Sequence, residues 1–138
     1  TVNAPSTLAL SYDSGDPCFT GTIDTDGWGA VYEVTFVGDG GDSFWNANSA
    51  GVTGFEFSYR GNEQPPMVRV MYKDPSGVDN CYEIGPGSTP VPFSAAHPGC
   101  DDSGATVDST RMEEMILAFI PNSQPYDLDF CVQIRALD

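Results

Sequence analysis

The sequence predicts an all-β fold, a two-sheet antiparallel β-sandwich of jelly-roll type. Three observations carry this. Short apolar runs recur along the chain, turn chemistry separates them, and most alternate with period two. A strand's side chains point to opposite faces in turn, so alternation means one face in a core and one in water. A chain of 138 residues is expected to form a single domain over 1–138, large enough to bury a real core.

The strand-like runs, in order, are 7–12, 30–37, 53–60, 67–73, 81–84, 90–93, 116–120 and 127–136. Between them stand Asp26-Gly27, Asp39-Gly40-Gly41, Arg60-Gly61-Asn62, Asp74-Pro75-Ser76-Gly77, Gly85-Pro86-Gly87 and Pro121-Asn122-Ser123, all turn-forming. One helix, 109–115, or a single turn in its place, is expected from Met112 and Met115 three residues apart. In the three clearest strands, Phe55, Phe57, Tyr59, Val68, Val70, Tyr72, Phe130, Val132 and Ile134 share the core parity. Glu56, Ser58, Arg60, Arg69, Met71, Lys73, Gln133 and Arg135 share the other.

That second set contains four of the chain's five basic residues, in a protein with twenty acidic residues and a formal charge of −15. Such acidity excludes a nucleic-acid footprint, which needs a basic surface. No apolar run reaches the ~18 residues of a membrane helix, and no partner membrane is expected. No charged-then-apolar targeting segment opens the chain. Four cysteines without a CxxC point to disulfides and an oxidising, secreted or extracellular location. Three pairings exist. The preferred one joins Cys81 to Cys100 around the loop holding Pro90, Pro92 and Pro98, leaving Cys18 for Cys131.

Catalysis finds little to stand on. His97 is the only histidine, no GxSxG occurs, and Glu113-Glu114 are neighbours whose side chains diverge. The chain is read as no enzyme, although twenty carboxylates leave a small glycosidase as the remotest alternative. A polar sheet face with Arg, Gln and Glu suits a neutral polyhydroxylated ligand better. Arg69, central in its strand, offers five donors in a fixed fork. Glu56 is expected on the neighbouring strand and same face, orienting Arg69. Gln133 donates and accepts, and Met71 adds an adaptable apolar patch. The bland alternative is a cross-strand ion pair.

Rings complete such a site. Trp28 lies between Gly27 and Gly29, either a loop-tip ring or a cap on the core. In Phe44-Trp45 one ring faces out if the segment is extended, and Trp45 is taken as the ligand contact. Tyr82 either projects over the sheet or packs on the Cys81 disulfide. The rival function is a protein-binding adhesion domain, whose interface hydrophobic anchors would dominate.

Several segments carry a resemblance. The strand Gly54-Phe55-Glu56-Phe57-Ser58-Tyr59-Arg60-Gly61, then Val68-Arg69-Val70, Pro90-Val91-Pro92-Phe93-Ser94, and the closing pair 115–119 and 126–132 follow the order seen in galactose-binding-like jelly-roll domains. Over roughly residues 53–137 the chain resembles β-glucan-binding modules of the family 11 and 30 type, and as a whole the metagenomic family 81 module. The resemblance implies a noncatalytic carbohydrate-binding module recognising β-1,4-linked glucans such as cellulose-derived chains, mixed-linkage β-glucan and xyloglucan. It implies a monomer tethered to a glycoside hydrolase, working in plant cell wall degradation. No cofactor is required, but relatives carry a structural calcium. Asp13, Asp24 and Asp138 are the carboxylates such a site would draw on, with Asp39 and Asp42 bracketing two glycines. The relatives' closing acidic pair is replaced here by Arg135-Ala136-Leu137-Asp138.

Overall fold

A computed structural model describes residues 1–38, 44–101 and 103–138. Among the described residues ten strands form in chain order: β1 (Thr7–Asp13), β2 (Asp16–Ile23), β3 (Ala30–Thr35), β4 (Gly54–Glu63), β5 (Val68–Lys73), β6 (Asn80–Ile84), β7 (Ser88–Pro92), β8 (His97–Pro98), β9 (Glu114–Phe119) and β10 (Tyr126–Leu137). They build two five-stranded sheets, β1-β2-β10-β4-β7 (the first sheet) and β3-β9-β5-β6-β8 (the second). All pairings are antiparallel. The chain crosses from sheet to sheet again and again, which is how a jelly roll winds. The sandwich read from the sequence is the fold observed.

The core sits between the sheets and follows the predicted parity. Phe57, Val70, Tyr72 and Val132 are fully buried, and Tyr59 and Ile134 pack against them from partly buried positions. Ring pairs run through it: Phe19 lies edge-on to Phe119 at 5.0 Å and Tyr72 edge-on to Phe93 at 4.9 Å. The Tyr72 hydroxyl donates to the Val91 carbonyl at 2.7 Å, a buried bond between β5 of one sheet and β7 of the other.

The disulfides join Cys18 to Cys131 and Cys81 to Cys100. Cys18 and Cys131 face each other across β2 and β10, Cα atoms 4.0 Å apart. The second link ties β6 to the loop after β8.

Four local differences from the sequence reading have physical causes. β2 was hidden because Pro17 and Gly21 occupy two of its four inward positions, alongside Phe19 and Ile23. Gly21 is needed there, since a side chain would overlap the Thr7 carbonyl. β8 is two residues long and carries no pattern. No helix forms at 109–115: Asp108 accepts from the Thr110 amide at 3.0 Å, Arg111 N–H closes on the Asp108 carbonyl, and this single turn leads into β9. Gly61 does not turn the chain. It sits at φ 131° inside β4, where the register with β10 slips at Asp129/Phe130, and β4 runs on to Glu63. The connection to β5 is Gln64-Pro65-Pro66-Met67, and it crosses to the other sheet.

Candidate functional site

That crossing corrects the central geometric expectation. Glu56 lies on β4 and Gln133 on β10 of the first sheet, whereas Arg69 lies on β5 of the second. The outward positions of the two sheets look in opposite directions, so these three residues share no groove. Parity separates inside from outside, but it does not say which of two outer faces a strand presents.

On the first sheet's outer face the polar groups satisfy one another. Arg135 donates to Glu56 at 2.7 Å. Arg60 holds Asp16 at 2.6 Å and Asp13 at 3.0 Å. The Ser58 and Ser88 hydroxyls meet at 2.8 Å, and Thr22 donates to Asp127 at 2.8 Å. Glu56 is therefore half of an ion pair with Arg135 and does not orient Arg69. Gln133 is exposed opposite Ser58.

The second sheet's outer face is built differently. Register places its side chains in three rows. Val31, Ala118, Arg69 and Glu83 form one row; Glu33, Ile116, Met71, Cys81 and His97 the next; Thr35, Glu114 and Lys73 the third. Ile116 and Ala118 point away from the core yet are 8% and 5% exposed. Together with Met71 and the Cys81–Cys100 bridge they make an apolar floor, flanked by one cation on either side.

Those cations are loosely held. Arg69 reaches Glu83 at 3.4 Å through one terminal nitrogen, and its Nε is buried without a hydrogen-bond partner. Lys73 stands 3.8 Å from both Asp79 and Glu114, beyond hydrogen-bond range. The contrast with the 2.6–3.0 Å contacts of Arg60 and Arg135 decides which face retains donor capacity for a ligand.

Four of the seven nominated contacts belong to this second sheet or its border. Arg69 and Met71 lie on its face. Tyr82 shares the core parity of Val70, so its ring, 38% exposed at the sheet's edge, lies on the side away from Arg69 and Met71 and does not project over the outer face as expected. Trp28 is half exposed in the turn entering β3, its amide bonded to the Asn3 side chain at 2.9 Å. Trp45 is a different matter. It is partly buried, bridges to Met112, and packs at a tilt against Phe36 at 5.2 Å and Phe55 at 6.3 Å. It is therefore a core-edge ring, and Phe44 is the more exposed of the pair.

Ile116, Ala118 and Glu83 were not singled out from the sequence. The signal for the first two was the unbroken apolar run Met115-Ile116-Leu117-Ala118-Phe119, which marks a strand covered on both faces. Glu83 carried only its parity.

The carboxylates named for a metal do not converge. Asp24 follows β2 at its Tyr126 end, Asp13 pairs with Arg60 at the opposite end of the β1–β2 hairpin, and Asp138 lies beyond the far end of β10. Asp39 and Asp42 lie outside the described residues. Among the described residues no three His, Cys, Asp or Glu side chains gather as metal ligands. The two disulfides are compatible with an extracellular protein, and no helix among the described residues is long and apolar enough to cross a membrane.

Compared with known proteins, the chain matches no family model and no curated protein sequence.

Proposed function

We propose that this chain is a noncatalytic carbohydrate-binding module that grips β-1,4-linked glucan on the outer face of its second sheet. It would be secreted and tethered to a glycoside hydrolase that attacks plant cell walls. The observation that carries the reading is Arg69. It stands on the central strand of the face with an unpartnered buried Nε and a slack contact to Glu83, beside an apolar floor of Ala118, Ile116 and Met71. Leaving a buried donor unmade costs free energy unless something else accepts from it. The terminal nitrogens of Arg69, on a side chain 39% exposed, can turn to sugar hydroxyls, while the C–H face of a pyranose suits the apolar floor. Trp28, half exposed in the turn entering β3, offers a ring to a flanking unit.

Native affinity electrophoresis through gels holding mixed-linkage β-glucan, xyloglucan, xylan or mannan tests this. The two glucan gels should retard the protein. Arg69→Ala should abolish retardation, and Arg135→Ala, on the opposite sheet, should preserve it. Free migration in every gel, or loss with Arg135→Ala alone, contradicts the assignment. Release of reducing sugar would make the protein a glycosidase instead.

A further inference from the structure

A sheet edge presents unpaired amides and carbonyls, and proteins normally block it with proline, charge, brevity or a covering segment. Three of the four edges here are blocked. β7 carries Pro90 and Pro92. β8 is two residues long and ends in Pro98. β3 is covered by the first residues of the chain, with Val31 N–H donating to Thr1 at 2.8 Å and Asn3 N–H to Gly29 at 2.7 Å, and its open end carries Glu33. β1 has none of these devices. It runs for seven residues, pairs with β2 without a bulge, and bears no charge before Asp13. Among the described residues nothing pairs with its outer edge.

Its side chains are unusual as well. Leu8, Leu10 and Tyr12 have the core parity, yet Leu10 is 48% and Tyr12 61% exposed. They overhang a cleft of about 390 Å³ between β1 and β3, floored by Phe19 and Tyr32. The Tyr12 and Tyr32 hydroxyls lie 3.4 Å apart at its mouth.

We infer that β1 is a self-association edge, pairing antiparallel with β1 of a second copy about a two-fold axis at Leu10. Such an interface is isologous, so the strand must complement itself. It does. With Leu10 opposite Leu10, Leu8 falls opposite Tyr12 of the second copy, Ala9 opposite Ser11, and Thr7 opposite Asp13. The apolar residues then form one stripe on the cleft side, the small ones line the other side, and no carboxylate meets its like. The first sheet continues as ten strands across the axis. The edge is nearly uncharged in a chain of charge −15, so long-range repulsion opposes the contact and salt favours it. This departs from the monomer expected from the sequence, and it holds whether or not the chain binds glucan.

Sedimentation velocity from low to high micromolar concentration, in low and high salt, tests it. The mass should rise from 14.7 kDa towards twice that value with concentration, and further in high salt. Leu10→Lys places two ammonium groups on the axis and should hold the mass at the monomer value without moving the melting temperature measured at dilute protein, where the unaltered chain is monomeric too. Hydrogen exchange on the unaltered chain gives an independent reading, as amides of β1 should gain protection with concentration. A constant monomer mass under all conditions overturns the inference, and so does a dimer that survives Leu10→Lys. Protection of β1 by added xyloglucan at dilute protein, with no change of mass, would assign the edge to sugar and overturn it too.

Discussion

Replacing Arg69 by methionine should stabilise the protein while removing its grip on glucan. The Arg69–Glu83 contact is long, 3.4 Å, and both side chains are 39% exposed. Exposed pairs of this kind contribute about 0–1 kcal/mol. Against that stands the buried, unpartnered Nε, whose desolvation costs roughly 1–3 kcal/mol. Methionine keeps a long, flexible, apolar side chain beside Ala118 and Ile116 and brings no donor. The balance favours the variant by about 1 kcal/mol, and for a domain of this size that raises Tm by roughly 3 °C. Differential scanning calorimetry reads the stability, and affinity electrophoresis in β-glucan gels reads the binding. A fall in Tm of several degrees would show that Arg69 is structural. Unchanged retardation would show that its free donors serve no ligand.

Other perturbations follow from the same structure. Tyr72→Phe removes the 2.7 Å bond to the Val91 carbonyl, so urea unfolding should show a loss of about 0.5–1.5 kcal/mol. Replacing Cys18 and Cys131 together by alanine opens the longer loop, 113 residues against 19; the chain-entropy picture gives losses of roughly 5 and 3 kcal/mol for the two bridges, so thermal melts of the two double variants should rank in that order. Burial works against ionised Asp74, but hydrogen bonds from Ser76 and from the Asp108 amide outweigh it and hold its carboxyl below the ordinary range. Its stabilisation is therefore complete above the unfolded pKa of about 4 and is lost as pH falls through the lower folded value. Melting temperature should drop below about pH 4, and Asp74→Asn should flatten that drop while lowering Tm at neutral pH; an unchanged acid limb would contradict this.

What was legible in the sequence was whatever strict alternation encodes. Phe55, Phe57, Val68, Val70, Tyr72, Phe130 and Val132 fall inside, and Glu56, Arg69 and Gln133 outside, as their parity requires. The cysteine pairing also emerged, since only one arrangement closed the proline-rich loop locally. What stayed hidden was which strands are neighbours. Arg60-Gly61-Asn62 has the residues of a hairpin turn and proved to be a bulge, while Pro65-Pro66 carried the chain to the other sheet. Local chemistry does not distinguish a glycine that reverses a strand from one that kinks it. The candidate site was half legible for the same reason. Arg69 and Met71 were placed on an outer face, but their neighbours Ile116, Ala118 and Glu83 come from strand order. Trp45 was assigned outward on alternation alone, and the tertiary contacts with Phe36 and Phe55 drew it to the core edge.

The most direct measurement is an amide chemical-shift titration with a soluble cello-oligosaccharide. The account predicts saturable shifts along Val31, Arg69, Met71, Glu83 and Ile116, the rows of the second sheet's outer face, with Ser58, Gln133 and Arg135 unmoved. Shifts confined to the latter three, or none at saturating sugar, would contradict it.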